Sequence, residues 1–280
     1  MASAPPLVEG LRAGLAALGS LEGGPRPADL TLRLRRPDDL PAAAAQLAAA
    51  GLGLATLAVT DDEATAEHDL EVRYVFEPAG GPPPLPDVFV TLLASLDPDR
   101  PLLPSISAQL PAASWHEREA RDLFGVSFEG HPDPRPLVVH DGWPAGLHPL
   151  RKGFDASLRP PVEPAEEFPH LVVEGEGVFE VPVGPIHAGI IEPGHFRFST
   201  VGESVLNLEP RLFYTHRGLE KRIEGLRLED AFLVAERTCG VCSVAHGLGF
   251  CEAAEQIAGV EVPRRARVLR TVGLELERLY

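Results

Sequence analysis

A proline-rich, acidic segment over residues 159–176 divides this chain into two halves with different residue patterns. Proline lacks a backbone N–H and disfavours the helical conformation of the residue before it, so closely spaced prolines interrupt helices and central strands. With 280 residues, of which 44% are hydrophobic, the chain is long enough to bury a core on each side of this segment. We predict a first domain over residues 1–158, a linker over 159–176 and a second domain over 177–280.

The first domain alternates helix and strand patterns. Apolar or alternating runs bounded by Gly, Pro and Asp predict strands over residues 29–34, 52–60, 69–76 and 88–93. Helices are predicted over residues 6–18, after the acidic pair Asp38 and Asp39, and over 112–124 with Gly125 as a left-handed cap. A mixed sheet with helices on one face is the simplest arrangement of these elements, so we predict an α/β module.

The charged helix carries two pairs of opposite charges at i, i+4 spacing. Glu117 precedes Arg121, and Arg118 precedes Asp122, a pattern typical of ion pairs on an exposed helix face. Residues 130–154 are rich in Pro, Gly, His and Arg, which predicts an irregular arm. We expect the charged pairs to help fix this arm, which would grip neighbouring subunits, and to take no part in chemistry.

The second domain changes from strands to helices. Short strands are predicted over residues 178–183, 194–199 and 204–209. Helices are predicted over residues 218–224, 228–237 and 243–258. A last helix places Leu269, Val272, Leu276 and Leu279 on one face and reaches Tyr280 without a breaker. We therefore expect an α+β protein whose second domain is a truncated helical domain.

Charge and composition exclude several classes of protein. The chain has 25 basic and 41 acidic residues, a formal charge of −16, which argues against a nucleic-acid partner because phosphate binding needs clustered Lys and Arg. The N-terminus lacks the basic and apolar regions of a secretory signal. The most apolar run, residues 42–59, is interrupted by Gly and Gln and falls short of the ~20 apolar residues of a membrane span. We expect a cytoplasmic chain that reaches a membrane only through partners.

Two of the three cysteines carry the strongest chemical signal. Cys239 and Cys242 are separated by two residues, a spacing that brings both sulfurs to one side of a turn. Cys242 begins a predicted helix, whose positive end favours the thiolate form that binds metals. His246 lies four residues further on, on the same helical face, where it can hydrogen-bond a sulfur.

Four interpretations of this cysteine pair remain open from the residues alone. A structural zinc site usually needs two such pairs, and the third cysteine, Cys251, stands alone. A thioredoxin-like redox pair should follow a strand, whereas a helix is predicted here. The pair can also be two free thiols in a core, or half of a soft-metal site completed from elsewhere.

Longer motifs around the pair resemble a known family. Arg237 to His246 matches the pattern R-x-C-G-x-C-x-x-x-H of the large subunit of NiFe hydrogenases. Three further motifs resemble the group of these enzymes that is related to complex I and formate hydrogenlyase. They are GPIHAG (184–189), EPGHFR (192–197) and YTHRGLEK (214–221). The first half resembles the complex I subunit usually lettered C in EREARDLFG (117–125), FEGHPD (128–133) and HPLRK (148–152). In complex I, the relative of the hydrogenase large subunit is the subunit lettered D. A C-like domain followed by a D-like domain is the arrangement of formate-hydrogenlyase-type large subunits.

The resemblance implies roles for particular residues. Cys239 would be a terminal nickel ligand and Cys242 a thiolate that bridges nickel and iron. Glu192 matches the acid that relays protons, with Glu-Pro-Gly-His here in place of the usual Glu-Gly-His. His187 corresponds to a histidine loop that faces a quinone-like chamber or a partner in complex I. His246 would contact the cofactor through a sulfur.

The resemblance also implies a cofactor and partners. The family's Ni-Fe centre needs a second Cys-x-x-Cys that follows much later in a longer chain, so this polypeptide alone is expected to be inactive. The intact protein would pass electrons to a small subunit with a 4Fe-4S cluster, on the cytoplasmic face of a membrane complex. The alternatives are a quinone-reducing C/D-type subunit of NADH-quinone oxidoreductase and a non-catalytic docking or assembly module. Because the D-type relatives in complex I have lost the nickel cysteines and this sequence retains them, hydrogenase is favoured.

Overall fold

A computed structural model describes residues 6–26, 28–61, 69–80, 88–164, 170–189 and 191–280 of the chain. Over these residues the helices are α1 (Pro6–Leu15), α2 (Leu40–Ala49), α3 (Ala113–Phe124), α4 (Leu219–Ile223), α5 (Leu228–Ala235), α6 (Ser243–Ala258) and α7 (Arg264–Leu279). The strands are β1 (Gly19–Gly23), β2 (Leu30–Leu34), β3 (Leu52–Asp61), β4 (Leu70–Pro78), β5 (Val90–Leu96), β6 (Leu102–Pro104), β7 (Ser127–Glu129), β8 (Val178–Val183), β9 (His195–Val201) and β10 (Ser204–Arg211). The predicted α+β class is confirmed.

A five-stranded mixed sheet forms the core of the first half. Its strand order is β1-β2-β5-β4-β3, with β2 and β5 parallel and the other neighbours antiparallel. Strand β4 shows why the sheet forms, because Leu70, Val72, Tyr74 and Phe76 are fully buried and alternate with partly exposed residues. This two-residue period is that of a strand with one face against a core.

Helix α2 covers the sheet with an alanine-rich face. Leu40, Ala43, Ala44 and Leu47 are fully buried, at the i, i+3, i+4, i+7 spacing of an amphipathic helix. The small alanine side chains allow the helix backbone to approach the sheet closely. Strand β1 was not predicted, because its sequence GSLEG has two glycines and a single apolar residue.

The charged side chains of α3 are mostly buried, so the predicted exposed i, i+4 ion pairs are wrong. Glu117 is fully buried and accepts hydrogen bonds from the Ile106 N–H (2.9 Å) and the Tyr74 hydroxyl (3.4 Å). Burial raises the pKa of the Glu117 carboxyl. Arg118 reaches the carbonyl oxygens of Arg135 and Pro136, each at 2.9 Å. These side chains turn inward because they supply partners to loop backbone, which helix spacing alone does not reveal.

The arm after β7 has no helix or strand over residues 130–154, as predicted. Asp122 attaches it to α3, since its carboxylate accepts the N–H groups of Leu137 (2.7 Å) and Val138 (2.8 Å). Gly125 ends α3 with φ 79°. A Cβ at this position would lie 2.6 Å from Nε2 of His148, so both the backbone conformation and the space require glycine here.

A second, antiparallel sheet has the order β10-β9-β8. Ion pairs join it to the arm: Arg211 contacts Asp141 at 2.9 Å, and Arg135 lies 3.6 Å from Glu209. The sheet therefore groups with the first compact unit of the chain, which comprises Met1–Ile186 and Pro193–Tyr214. The predicted domain limits of 1–158, 159–176 and 177–280 stay a prediction.

The second compact unit comprises His187–Glu192 and Thr215–Tyr280 and contains helices α4 to α7. An ion pair between Arg270 of α7 and Glu255 of α6 (2.5 Å) ties two of these helices together and lowers the pKa of the Glu255 carboxyl. Along α7, the apolar side chains at 269, 272, 276 and 279 are all exposed. None of the helices formed by the described residues has the length and apolar character needed to cross a membrane.

Candidate metal centre

The cysteine pair lies in the turn between α5 and α6. Helix α5 ends at Ala235, whose carbonyl accepts a hydrogen bond from the Thr238 hydroxyl at 2.8 Å. Cys242 is the N-cap residue of α6. The Cα atoms of Cys239 and Cys242 are 5.4 Å apart and the two sulfurs are bonded as a disulfide. The turn thus brings both sulfurs to one point, where reduction of that bond and loss of the thiol protons would give two thiolate donors.

His246 joins this pair at the same point. Its N–H donates to the carbonyl of Cys242 at 3.2 Å, which is the first turn of α6. The potential ligand atoms of Cys239, Cys242 and His246 all lie within 4.8 Å of one another. Both cysteines are half-buried and the histidine is exposed. The group is therefore open to solvent, and to further ligands, on at least one side.

A carboxylate from α7 caps the helix that carries this group. Glu277 accepts hydrogen bonds from the N–H groups of Val244 (2.6 Å) and Ala245 (3.0 Å). These are first-turn donors that α6 itself leaves without partners. The positive end of the α6 dipole thus acts on Glu277 as well as on the sulfurs, and the carboxylate adds negative charge beside the cysteine turn.

Arg217 holds the chain immediately before Cys239. Its guanidinium donates to the carbonyl oxygens of Arg237 (2.9 Å) and Thr238 (2.6 Å). The same group lies 3.4 Å from the carboxylate of Glu192. One side chain therefore connects the predicted proton-relay acid to the residues that precede the first predicted metal ligand. The sequence indicated none of these contacts, since their partners lie 20, 21 and 25 residues from Arg217 and leave no local spacing pattern.

The other predicted site residues, Glu192 and His187, lie outside the group formed by Cys239, Cys242 and His246. Glu192 is exposed, with 73% of its side chain accessible. His187 is half-buried and belongs to the same short segment of the second unit as Glu192. Cys251 lies half-buried on α6 as a free thiol, outside the group formed by the cysteine pair and His246.

The donors at this turn match half of what a Ni-Fe centre requires. Thiolates suit soft metals such as nickel, and the fold brings two cysteine sulfurs to one side of a turn. Their partial exposure leaves room for donors from outside this chain. Over the described residues the site therefore fits one half of a dinuclear thiolate centre, and no second cysteine pair joins it there.

Two family profiles match the chain in succession. Residues 34–160 match the family described as "Respiratory-chain NADH dehydrogenase, 30 Kd subunit". Residues 217–278 match the family described as "Nickel-dependent hydrogenase". The second match includes the cysteine turn, Arg217 and His246.

Three relatives match between 65% and 79% of this chain. The chain is 38% identical over 223 residues to hydrogenase-4 component G of Escherichia coli (strain K12), covering 79% of this chain and 40% of the relative. It is 39% identical over 196 residues to formate hydrogenlyase subunit 5 of the same strain, covering 69% and 34%. The C/D subunit of NADH-quinone oxidoreductase from Phocaeicola vulgatus is 32% identical over 198 residues, covering 65% and 38%.

The matched region thus spans at most 40% of the length of these relatives. The three relatives are named as parts of a hydrogenase, a formate hydrogenlyase and an NADH-quinone oxidoreductase, which supports an oxidoreductase-complex subunit. The chain is a homologue of hydrogenase-4 component G and formate hydrogenlyase subunit 5, with a region that matches the 30 kDa respiratory-chain family followed by a region that matches the nickel-dependent hydrogenase family.

Proposed function

We propose that this chain supplies the first half of the Ni-Fe site of a hydrogenase large subunit that oxidises H2 or reduces protons. The observation that carries the proposal is the meeting of the Cys239 and Cys242 sulfurs at the start of α6, within the region that matches nickel-dependent hydrogenases.

Cys239 and Cys242 would hold the metals as thiolates, and the remaining ligands would come from outside the chain. When bound, a Ni-Fe centre supplies an open coordination position for H2 or protons. His246 would contact a sulfur, which fixes the orientation of the thiolate. His187 would contribute to the same cofactor region from the segment that also contains Glu192.

Glu192 is proposed as the acid that receives and releases the proton at its carboxylate. Arg217 supports this assignment, because it contacts Glu192 and the carbonyl oxygens before Cys239 with one guanidinium. A positioned carboxylate can transfer a proton only from hydrogen-bonding reach of the group that carries it. Arg217 is therefore a positioning residue in this proposal.

The proposed partners are a small subunit with a 4Fe-4S cluster and the membrane subunits of a complex I-like assembly. Such a chain would lie peripherally on the cytoplasmic face of the membrane and attach through those subunits. The names of the relatives place them in hydrogenase and quinone oxidoreductase complexes, which supports partners of this kind.

Two alternatives make a different prediction about the cysteines. The similarity to the C/D subunit of NADH-quinone oxidoreductase favours a quinone-reducing role, and the large 30 kDa region favours a docking role. In both cases the cysteine sulfurs would be dispensable. The cysteines are thus the residues that distinguish the proposals.

A segment exchange tests the proposed function. Residues 215–280 of this chain would replace the homologous segment of Escherichia coli formate hydrogenlyase subunit 5, and the purified complex would be assayed for nickel content and H2-dependent dye reduction. We expect the exchanged complex to keep both, and Cys239→Ser and Cys242→Ser to abolish both. Cys251→Ser, on the same helix, is the matched control and should change neither. Nickel and activity that survive substitution of the pair would contradict the proposal.

The isolated chain should lack hydrogenase activity, because two thiolates cannot hold a dinuclear centre alone. Dye reduction by H2 with the purified 280-residue chain measures this directly. Clear activity would show that the ligand set is complete without further donors.

A further inference from the structure

We infer that the reduced chain by itself binds one soft divalent ion, such as Zn2+ or Co2+, through both sulfurs of the cysteine pair and the imidazole of His246. The histidine is a direct ligand in this site, and a fourth position stays open to water. The site goes beyond the proposed function, because it needs no ligand from outside the chain and no iron.

The positions of the donors carry the inference. Cys242 and His246 are one turn apart on α6, joined by the backbone hydrogen bond at 3.2 Å, so their side chains share a helix face. Cys239 reaches the same point from the preceding turn. The three ligand atoms lie within 4.8 Å of one another. Among the described ranges of the chain, this is the one group of three or more such side chains with ligand atoms so close together.

Neighbouring ligand atoms in a tetrahedral site lie farther apart than two bonded sulfurs and closer together than 4.8 Å. Bond lengths of about 2.3 Å to sulfur and 2.0–2.1 Å to nitrogen place neighbouring ligand atoms about 3.3–3.8 Å apart. Reduction of the disulfide lets the sulfurs separate to this range. The imidazole must approach by roughly 1 Å, and His246 can do so because its side chain is exposed.

The donor chemistry favours a borderline or soft ion. Two thiolates neutralise the charge of a divalent cation, and a neutral imidazole completes a set of two sulfurs and one nitrogen. This set, with a fourth position for water, is one that zinc uses in open sites. Glu277 at the start of α6 adds negative charge nearby, which also favours a cation.

Binding requires a balanced reduction step. A phosphine reductant breaks the sulfur–sulfur bond and is oxidised to the phosphine oxide with oxygen from one water molecule, while both sulfurs become thiols. Each thiol then loses its proton as its bond to the metal forms, so one ion binds and two protons are released. The oxidised chain, with its sulfurs bonded to each other, should therefore not bind the ion.

Anaerobic titration of the phosphine-reduced full chain with Co2+ tests the site. We expect one ion per chain, thiolate-to-cobalt charge-transfer bands and the strong visible bands of four-coordinate cobalt, all displaced by Zn2+. Cys239→Ser and Cys242→Ser should each remove the charge-transfer intensity of one sulfur. Loss of a hydrogen-bond partner of a metal ligand typically costs about 10–100-fold in metal affinity. If the imidazole is a direct ligand, His246→Ala should therefore lower the metal affinity at least about 100-fold.

Zinc K-edge X-ray absorption separates a direct imidazole from an outer contact. The zinc-loaded chain should show two sulfurs and one imidazole nitrogen, and the imidazole signal should vanish in His246→Ala. His216→Ala, which removes another exposed histidine of the same unit, and Cys251→Ser are controls that should change nothing. No binding, one ion per two chains, or a spectrum unchanged by His246→Ala would overturn the inference. Circular dichroism would verify that each variant keeps its helices.

Discussion

Asp122→Ala should release the arm of residues 130–154 from helix α3. Asp122 is buried, with 7% of the residue exposed, and its carboxylate accepts short hydrogen bonds from the N–H groups of Leu137 (2.7 Å) and Val138 (2.8 Å). Hydrogen bonds to a charged group contribute about 1.5–3 kcal/mol each. Removal of the acceptor leaves two sheltered N–H groups without partners, so we expect a loss of roughly 3 kcal/mol in the free energy of unfolding. Asp122→Asn keeps an acceptor oxygen and should lose about 1 kcal/mol.

Urea unfolding followed by tryptophan fluorescence measures this loss in the right place. The chain has two tryptophans, Trp115 and Trp143, and both belong to the first unit. Hydrogen exchange of the peptide that contains Leu137 and Val138 should accelerate in parallel. Asp99→Ala, the same substitution at an exposed aspartate of this unit, should stay within about 0.5 kcal/mol of the parent. A loss below about 1 kcal/mol in Asp122→Ala, with unchanged exchange, would refute the assigned role.

Three further predictions concern buried or positioned charges. Burial raises the folded-state pKa of Glu117 above 4.5, so the folded state binds this proton more tightly than the unfolded state does. The free energy of unfolding should therefore fall as pH rises through that pKa. Glu117→Gln should remove this fall, as measured by urea unfolding at a series of pH values. The hydrogen bond from Arg135 lowers the pKa of Asp133 from 3.8 to about 2. The ionised Asp133 therefore stabilises the folded state above pH 3.8, and this stabilisation is lost as pH falls from 3.8 to about 2. Asp133→Asn should lack this loss of stability in acid unfolding. Arg217→Lys keeps a charge but loses the guanidinium contacts to two carbonyls, so amides of the cysteine turn should exchange roughly fivefold faster, and an unchanged rate would contradict the positioning role.

Much of the fold follows from local patterns that the sequence displays. The two-residue period of β4 and the spacing of buried residues in α2 are such patterns, and both predicted elements match the structure within a few residues. Strands β6 and β7 were not predicted. Each has three residues, and they pair in parallel across α3, so no local period exists to indicate them.

The charged helix shows where local patterns mislead. The i, i+4 spacing of Glu117 and Arg121 is compatible with surface ion pairs, yet Glu117 is fully buried. Its partners come from a loop and from β4, which are distant in sequence. Burial of a charge depends on such partners, so only the folded chain reveals it.

The candidate site also combines local features, which the sequence displays, with long-range contacts, which it does not. The cysteine spacing and the helix after it are local, and the sequence sufficed to predict that Cys239, Cys242 and His246 share one face of a turn. The contribution of Arg217 is not local, because its partners are 20 and 21 residues further on and 25 residues back. These contacts change how the Glu192 proposal can be evaluated. An exposed acid with a flexible side chain is a poor proton relay by itself, whereas one paired with the guanidinium that also holds the cysteine turn has a defined position relative to it. In the proposed relay, hydrogen-bonding reach between Glu192 and a sulfur would depend on Arg217, so substitution of Arg217 should affect proton transfer and the geometry of the turn together.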